Sequence, residues 1–314
     1  MLKQGYAFAM KHPFYQVDVF CADAQSPLTG NPLAVIFDAQ GLTTEQMQTI
    51  ARWTNLSETT FVTYKLDTPN EYSVRIFTPG GELPFAGHPS LGTAWAVATH
   101  YELFNNGLTD DDLADDGHSE TIELTQQCAL GPIRLALKHN DVSLQLPRAT
   151  LTAISPAQQE QLALSLGATL TGPGIIVDLG PRWLTVPLQS GEALLAAKPV
   201  TALIDSLSRE LGITGINAIG KYKVPDSTGA QLEVRSFAPS FGVIEDPVCG
   251  SGNGAAAYYL REHQHQKSDY IARQGRAISR NGRIKIAYKD DDIWLGGICI
   301  NCVVGNLNMD GNTI

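Results

Sequence analysis

The chain has 314 residues, of which 43% are hydrophobic and 17% are charged, and its formal net charge is −10. Such a length exceeds what one ordinary hydrophobic core needs and suits two domains of about 150 residues each. The composition is typical of a soluble, well-packed globular protein.

The negative charge is concentrated in two short segments that contain no lysine or arginine. The acidic residues in them are Asp110, Asp111, Asp112, Asp115, Asp116 and Glu120 in the first and Asp290, Asp291 and Asp292 in the second. The rest of the chain is nearly neutral, so we interpret both segments as solvated loops. No basic stripe is present, which excludes a nucleic-acid partner.

Cysteine usage and hydropathy place the protein in a reducing, aqueous compartment. Five cysteines, an odd number scattered along the chain, do not form a disulfide framework. The first fifteen residues lack an apolar core long enough for a signal peptide, and no later run approaches a membrane span. We therefore predict a cytoplasmic protein with no membrane partner.

The first part of the chain predicts short strands and one helix. Thr43 is an N-cap candidate with Gln46 three residues on, Leu42 and Met47 can close a hydrophobic staple across it, and the helix should end near Asn55. β-branched and aromatic segments bounded by Gly, Pro and Asn predict the strands Tyr15–Phe20, Leu33–Phe37, Thr60–Tyr64 and Tyr72–Phe77.

The later part repeats this pattern. One helix should begin after Ser155, with Pro156 at its first position, and end at Gly167; another, Ala202–Leu211, should end at Gly212. The predicted strands are Ile133–Lys138, Val142–Leu146, Trp183–Pro187, Gln231–Phe237 and Arg283–Tyr288.

Short strands with interspersed helices do not give the regular alternation of a Rossmann fold. We predict an α+β protein with a first domain of residues 1–128 plus 293–314 and a second of residues 129–292.

An internal repeat connects the two halves. Glu82–Gly87 is matched by Glu245–Gly250, 163 residues later, and Arg75–Pro79 is matched by Arg235–Pro239, 160 residues later. A small polar stretch and an apolar run follow each copy, which predicts a strand, a turn and a helix start in both halves. We expect the two glycine-rich helix starts to lie across a shared cleft that binds a small molecule.

These helix starts are candidate carboxylate sites. Unpaired backbone N–H groups at a helix N-terminus carry partial positive charge and bind anions. Glycines such as Gly87, Gly250 and Gly252 let a ligand approach the backbone closely, although glycines also serve tight turns and close helix packing. Because two equivalent motifs are present, we favour a binding site.

Glu58 and His88 are candidates for proton transfer. An acid between a helix end and an apolar strand, as at Glu58, can be partly buried with a raised pKa, although an exposed glutamate at a turn is the alternative. His88 follows Gly87 at a helix start, where a neutral imidazole can relay a proton or simply cap the helix.

Asp246 and Cys249 belong to the second helix start. Asp246 precedes Pro247, which holds its backbone extended, so it could orient a catalytic partner or only bond within its own turn. Cys249 at a helix N-terminus should have a lowered thiol pKa and could act as a base. A racemase would need a second such cysteine, but Ala86 occupies the matching position, so we favour Cys249 as a small packed residue.

Five motifs in order along nearly the whole chain carry a resemblance to a known family. They are GNPLAV (Gly30–Val35), NLSETTF (Asn55–Phe61), RIFTP with ELPFAGHPS (within Arg75–Ser90), EDPVCGSGN (Glu245–Asn253) and LGGICI (Leu295–Ile300). Together they resemble the PhzF-like proteins of phenazine biosynthesis, which are relatives of diaminopimelate epimerase.

The resemblance implies both a fold and an activity. The fold is two pseudo-symmetric epimerase-like domains, each a β-barrel-like sheet around a central helix, with the active site in the cleft between them. The activity is that of an isomerase with no cofactor and no metal, which moves a proton between carbons of a small carboxylate substrate. A homodimer is also expected from the resemblance alone.

Motif position assigns the roles. The general acid/base glutamate falls on Glu58, the proton-relay histidine on His88, and the supporting aspartate and serine on Asp246 and Ser251. Substrate contacts are expected from Asn31, Ser57, Gly87, Gly250, Gly252 and Cys249. The first motif reads AGHP without the epimerase cysteine, which favours the mechanism with a single glutamate. Two alternatives remain: a racemase or epimerase using Cys249, and a non-catalytic protein that binds a small carboxylate.

Overall fold

The computed structural model describes residues 10–64, 68, 70–105 and 121–309. Internal contacts divide the chain into two compact units. The first comprises Met1–Val19, Pro32–Val142 and Cys299–Ile314, and the second comprises Phe20–Asn31 and Ser143–Ile298. The acidic segment of residues 110–120 lies outside the described residues. Asp290 and Asp291 lie in a turn, as predicted, whereas Asp292 is the first residue of the strand that follows.

The described residues form sixteen strands and six α-helices. The strands are β1 (Met10–Cys21), β2 (Asn31–Ile36), β3 (Thr59–Tyr64), β4 (Glu71–Phe77), β5 (Glu82–Leu83), β6 (Ile122–Cys128), β7 (Gly131–Lys138), β8 (Asp141–Gln145), β9 (Thr150–Ala153), β10 (Ile175–Asp178), β11 (Arg182–Pro187), β12 (Gly215–Lys221), β13 (Leu232–Phe237), β14 (Tyr270–Gln274), β15 (Gly282–Lys289) and β16 (Asp292–Met309). The helices are α1 (Thr44–Thr54), α2 (Gly87–His100), α3 (Pro156–Leu166), α4 (Gly191–Ala196), α5 (Thr201–Leu211) and α6 (Gly250–Gln264). No helix among the described residues is long and apolar enough to cross a lipid bilayer.

A closed barrel forms the first unit. Its eight strands follow the order β1, β2, β3, β4, β6, β7, β8 and β16, and pairing of β1 with β16 closes the ring. Helix α2 is buried along nearly its whole length. A Cβ at Gly92 would lie 2.7 Å from methyl carbons of both Leu33 and Val19, so only glycine lets α2 approach the strands this closely.

A sheet of eight strands forms the second unit, in the order β16, β15, β14, β13, β12, β11, β10 and β9. Successive residues of a strand face opposite sides of the sheet. On one side Leu184 and Val186 of β11 join a hydrophobic cluster with Leu162 of α3 and Ile204 of α5. On the other side Trp183 of the same strand contacts the start of α6, which is itself largely buried.

The local predictions from sequence agree with these elements. Thr43 and Ser155 each cap a helix through a complete capping box, and Asn55 and Gly167 end those helices in the left-handed conformation. Both copies of the repeat form a strand, a turn and a helix start, β4 with α2 and β13 with α6. Each repeat therefore delivers a helix N-terminus to its own unit.

Candidate active site

Helix α2 begins without a side-chain cap. Its N-cap residue Ala86 has no side-chain acceptor, and instead both the backbone N–H and the hydroxyl of Ser90 donate to the Ala86 carbonyl, at 3.2 and 2.9 Å. Gly87 is the first helical residue and His88 the second. This geometry places the His88 imidazole in the interior of the first unit, where it is 6% exposed.

Glu58 meets His88 there. It lies in the turn between the left-handed Asn55, which ends α1, and the first residue of β3, Thr59. His88 Nε2 is 3.3 Å from Glu58 Oε2, and the side chains are 7% and 15% exposed respectively. The structure thus brings together the two groups predicted to transfer a proton, and it makes His88 a buried side chain rather than a helix cap.

Burial decides the charge of His88. Desolvation lowers the pKa of His88 to about 3, and a hydrogen bond to the Pro32 carbonyl raises it only in part. Nε2 has no hydrogen-bond partner among the described residues, so the ring donates to Pro32 from Nδ1. The neutral ring therefore carries its proton on Nδ1 and leaves Nε2, 3.3 Å from Glu58 Oε2, unprotonated.

Asp246 lies in the second unit, just before α6. Its Oδ1 accepts hydrogen bonds from the Asn31 Nδ2 amide at 3.1 Å and from the Val248 N–H at 3.0 Å. Desolvation raises the pKa of the Asp246 carboxyl to about 6, against hydrogen bonds from Cys249 and Val248 that lower it. This carboxyl can therefore change its protonation state near neutral pH.

Asn31 holds Asp246 through a side-chain hydrogen bond. It is fully buried at the start of β2, and its Nδ2 donates to the Val248 carbonyl at 3.0 Å as well as to Asp246. Because an amide nitrogen carries two hydrogens, these two bonds use both. The structure thus places Asn31 beside the predicted site as a group that orients Asp246.

Cys249 and Ser251 form the start of α6. Cys249 is the N-cap residue, 5% exposed, and its Sγ accepts the Gly252 N–H at 3.2 Å. The Ser251 hydroxyl lies 3.6 Å from that sulfur. The thiol therefore caps the helix N-terminus, as a serine or aspartate side chain commonly does.

Trp183 is a site neighbour that the sequence did not reveal. Its indole Nε1 donates to the Ser251 hydroxyl oxygen at 2.9 Å, and the residue is 2% exposed. Since an indole N–H can only donate, Ser251 Oγ accepts here and keeps its own proton for another acceptor. The 68 residues that separate the two positions explain why no local pattern connects them.

The remaining predicted contact residues fall into two groups. Ser57 precedes Glu58 in the turn before β3, while Gly87 and Gly250 are the first residues of α2 and α6. Gly252 has a packing role, because a Cβ there would lie 2.7 Å from Ser236 Oγ. The predicted site residues are divided between the two units. The first unit contains Ser57, Glu58, Gly87 and His88. The second contains Asn31, Asp246, Cys249, Gly250, Ser251 and Gly252.

The described residues contain no group of three or more His, Cys, Asp or Glu side chains arranged to hold a metal ion. What they contain is a neutral imidazole beside the carboxyl group of Glu58 and, at Asp246, a second carboxyl group with a raised pKa. Such pairs are suited to general acid–base chemistry.

Comparison with known proteins shows the family of the chain. The family model PhzC-PhzF, described as phenazine biosynthesis-like protein, matches residues 17–294. The chain belongs to this family. A protein of Schizosaccharomyces pombe named antisense-enhancing sequence 1 is 32% identical over 94% of this chain and 98% of its own length.

Other PhzF-family relatives are named enzymes or solved structures. The trans-2,3-dihydro-3-hydroxyanthranilate isomerase of Pseudomonas chlororaphis is 36% identical over 80% of this chain and 81% of its own. A structure from Pseudomonas aeruginosa described as a predicted epimerase superposes with a TM-score of 0.74 and 27% identity, covering 94% of this chain and 99% of that one. The chain is a PhzF-family isomerase with the diaminopimelate-epimerase-like fold, which confirms the predicted family, fold class and enzyme class.

Proposed function

We propose that this isomerase moves a proton between two carbons of a small carboxylate metabolite, without a cofactor, and that Glu58 is its general acid/base. The observation that carries the proposal is the 3.3 Å approach of Glu58 Oε2 to the neutral, buried imidazole of His88. A carboxylate so placed can take a proton from a carbon next to an unsaturated or carboxyl-bearing centre.

His88 supplies a second position for that proton. Its Nε2 lone pair can receive the proton from Glu58, and its Nδ1–H bond to Pro32 holds the ring in one tautomer while it does so. Glu58 then redelivers the proton at another carbon, directly or through the ring. Because the ring starts neutral, it can accept the proton without first losing one.

The helix starts supply binding and charge stabilisation. Ser251, with its oxygen already bonded to Trp183, can donate its hydroxyl proton to a substrate oxygen. Asp246, held by Asn31, can orient a polar substrate group. The backbone N–H groups of Gly87 and Gly250, at the first positions of α2 and α6, suit a carboxylate and the negative charge that develops as the proton leaves.

The substrate class follows from one relative and from this chemistry. The relative at 36% identity is named for isomerising trans-2,3-dihydro-3-hydroxyanthranilate, and an anthranilate carries a carboxylate. A site built from helix starts and acid–base groups favours a substrate of the same kind. We therefore propose a small, unsaturated carboxylic acid.

Solvent-exchange mass spectrometry tests the proposal. The protein is incubated with a metabolite extract in deuterated water beside the Glu58→Gln and Cys249→Ala variants. A carboxylic acid that gains carbon-bound deuterium with the wild type and with Cys249→Ala, but not with Glu58→Gln, is the expected result. Exchange that depends on Cys249 would favour a racemase instead. A metabolite retained unchanged by every variant would favour a binding protein.

A further inference from the structure

Near each of the two helix starts, a buried glutamine lies on a strand that pairs with the strand of the repeat. Gln126 is on β6, which pairs in parallel with β4, the strand that precedes α2. Gln274 is on β14, which pairs in parallel with β13, the strand that precedes α6. The residues are 0% and 1% exposed, so every hydrogen bond that their carboxamides make is shielded from water.

In the first unit the glutamine holds Ser90. Gln126 Nε2 donates to Ser90 Oγ at 2.8 Å, and Ser90 Oγ in turn donates to the Ala86 carbonyl at 2.9 Å. The Tyr72 hydroxyl donates to Gln126 Oε1 at 3.1 Å and fixes the orientation of the carboxamide. This chain of bonds ends at the N-cap residue, two positions before His88.

In the second unit the glutamine holds Asn253. Asn253 Nδ2 donates to Gln274 Oε1 at 2.7 Å and to the Cys249 carbonyl at 2.9 Å. The Cys249 N–H donates to the same Oε1 at 3.1 Å. Gln274 Nε2 donates to the Asp246 carbonyl at 3.1 Å and to Ser236 Oγ at 3.3 Å. Its carboxamide thus contacts both ends of the loop that carries Asp246 and leads into α6.

The two arrangements correspond although the sequence does not align them. Ser90 and Asn253 are equivalent in the 163-residue repeat, and each bonds the carbonyl of its own N-cap residue. In the strands β4 and β13 the repeat offset is 160 residues, so Tyr72 corresponds to Leu232. Gln126 pairs with Tyr72 and Gln274 with Val234, so the two glutamines differ by two positions in register. A shift of two keeps both side chains on the same face of a strand.

We infer that Gln126 and Gln274 are positioning residues, which fix the helix starts that present His88 and Ser251. The catalytic consequence rests on the proposed function, whereas the structural consequence does not. Loss of either carboxamide leaves buried polar groups without their partners and frees the turn before the helix. Loss of the Gln126 carboxamide then frees His88, and loss of the Gln274 carboxamide frees Asp246 and Ser251, although both glutamines are themselves buried.

Gln274→Met and Gln126→Met test the inference, with Gln159→Met as the matched control. Gln159 also clamps a loop, through Gly172 O at 3.0 Å and Gly174 N at 2.7 Å, but it belongs to α3. The first readout is the rate at which an alkylating reagent modifies Cys249, mapped by peptide mass spectrometry. We expect Gln274→Met to raise this rate about tenfold or more, because it removes four buried hydrogen bonds around the start of α6, and both other variants to leave it unchanged.

The second readout is turnover of the substrate found by deuterium exchange. We expect kcat to fall about tenfold or more in Gln274→Met and Gln126→Met, with a smaller change in KM, because orientation rather than binding is lost. Unchanged Cys249 reactivity and unchanged kcat in Gln274→Met would overturn the inference. A raised thiol reactivity in Gln274→Met, together with full exchange activity in Glu58→Gln, would overturn the proposed function and leave the positioning role intact.

Gln274→Glu tests the inference even if the fold does not accept methionine at position 274. The carboxylate keeps an acceptor for Cys249 and Asn253 but loses the donor to the Asp246 carbonyl. Activity of this variant relative to wild type should therefore recover as the pH is lowered, when the protonated carboxyl regains a donor. A ratio that stays constant with pH would contradict the positioning role.

Discussion

His88 Nε2 faces Glu58 Oε2 across 3.3 Å, in a part of the first unit where both side chains are largely shielded from water. The Pro32 carbonyl holds the ring proton on Nδ1, so the pair has one lone pair on nitrogen and one carboxyl group within reach of each other. A single proton can move between them without a net change of charge in the pair. Such a pair suits the general acid/base role that we propose for Glu58.

Acid stability should report the buried, neutral state of His88. Because the folded-state pKa is lowered to about 3, the unfolded chain binds more protons below its ordinary pKa of 6.5. The stability that His88 contributes is complete above that value and is lost as the pH falls towards 3. Between pH 7.5 and 5, wild type should lose about 2 kcal/mol more than His88→Gln.

Urea unfolding of both proteins at the two pH values measures this difference. Comparison with the variant cancels the opposite contribution of Asp246, whose raised pKa stabilises the fold on acidification. Equal changes in the free energy of unfolding would show that His88 is not held neutral by burial.

Trp183→Phe should remove the hydrogen bond that orients the Ser251 hydroxyl. The substitution keeps an aromatic ring in the core but removes the N–H that donates to Ser251 Oγ at 2.9 Å. The hydroxyl then can rotate, and we expect KM to rise by roughly threefold to tenfold, with a stability loss of about 1 kcal/mol. Steady-state kinetics and thermal unfolding measure the two effects. Trp53→Phe, at a 74% exposed position, is the control, and an equal KM in both variants would contradict the role of Trp183.

The Arg–Glu ion pair that occurs in both copies of the repeat should contribute much more to folding stability in the second copy. Arg235 and Glu245 bond at 2.8 Å with both side chains 8% exposed, whereas Arg75 and Glu82 bond at 2.7 Å with 39% and 36% exposure. Glu245→Gln leaves a buried arginine without its counter-charge and should cost about 3–5 kcal/mol. Glu82→Gln should cost below about 1 kcal/mol.

Chemical denaturation of the two glutamine variants provides the comparison. The pairs are the same in residue type and similar in distance, and in each the arginine also lies 5.1 Å from a phenylalanine ring centroid. The pairs differ in burial, and Arg235 also donates to the Leu194 and Ala197 carbonyls where Arg75 donates to Thr44 Oγ1. Similar losses of stability in the two variants would contradict this explanation.

Local structure was readable from the sequence because its causes are local. Thr43 and Gln46 form a capping box within four residues, and alternating or apolar runs fix the strands. Glu58 and His88 were identified through their motifs, while the contact between them depends on the path of the chain over 29 intervening residues.

The rest depends on tertiary contacts. Asn31 reaches Asp246 across 215 positions, and Gln274 reaches Asn253 across 21, with nothing in either local sequence to indicate a partner. Gly252 illustrates the opposite problem. Its sequence context suggests close approach of a ligand, and the structure adds a packing contact with Ser236. Residue type alone cannot separate these two reasons for a glycine.

The most direct test of the central claim is the loss of proton transfer in Glu58→Gln. Wild type, Glu58→Gln and the exposed control Glu82→Gln are compared in deuterated water with the acid identified by exchange, and calorimetry measures its binding to each. Removing a general acid/base should lower deuterium incorporation by about 10²- to 10⁴-fold in Glu58→Gln, with Kd and the Glu82→Gln rate near wild type. Incorporation by Glu58→Gln at a rate close to that of wild type would contradict the assignment of Glu58.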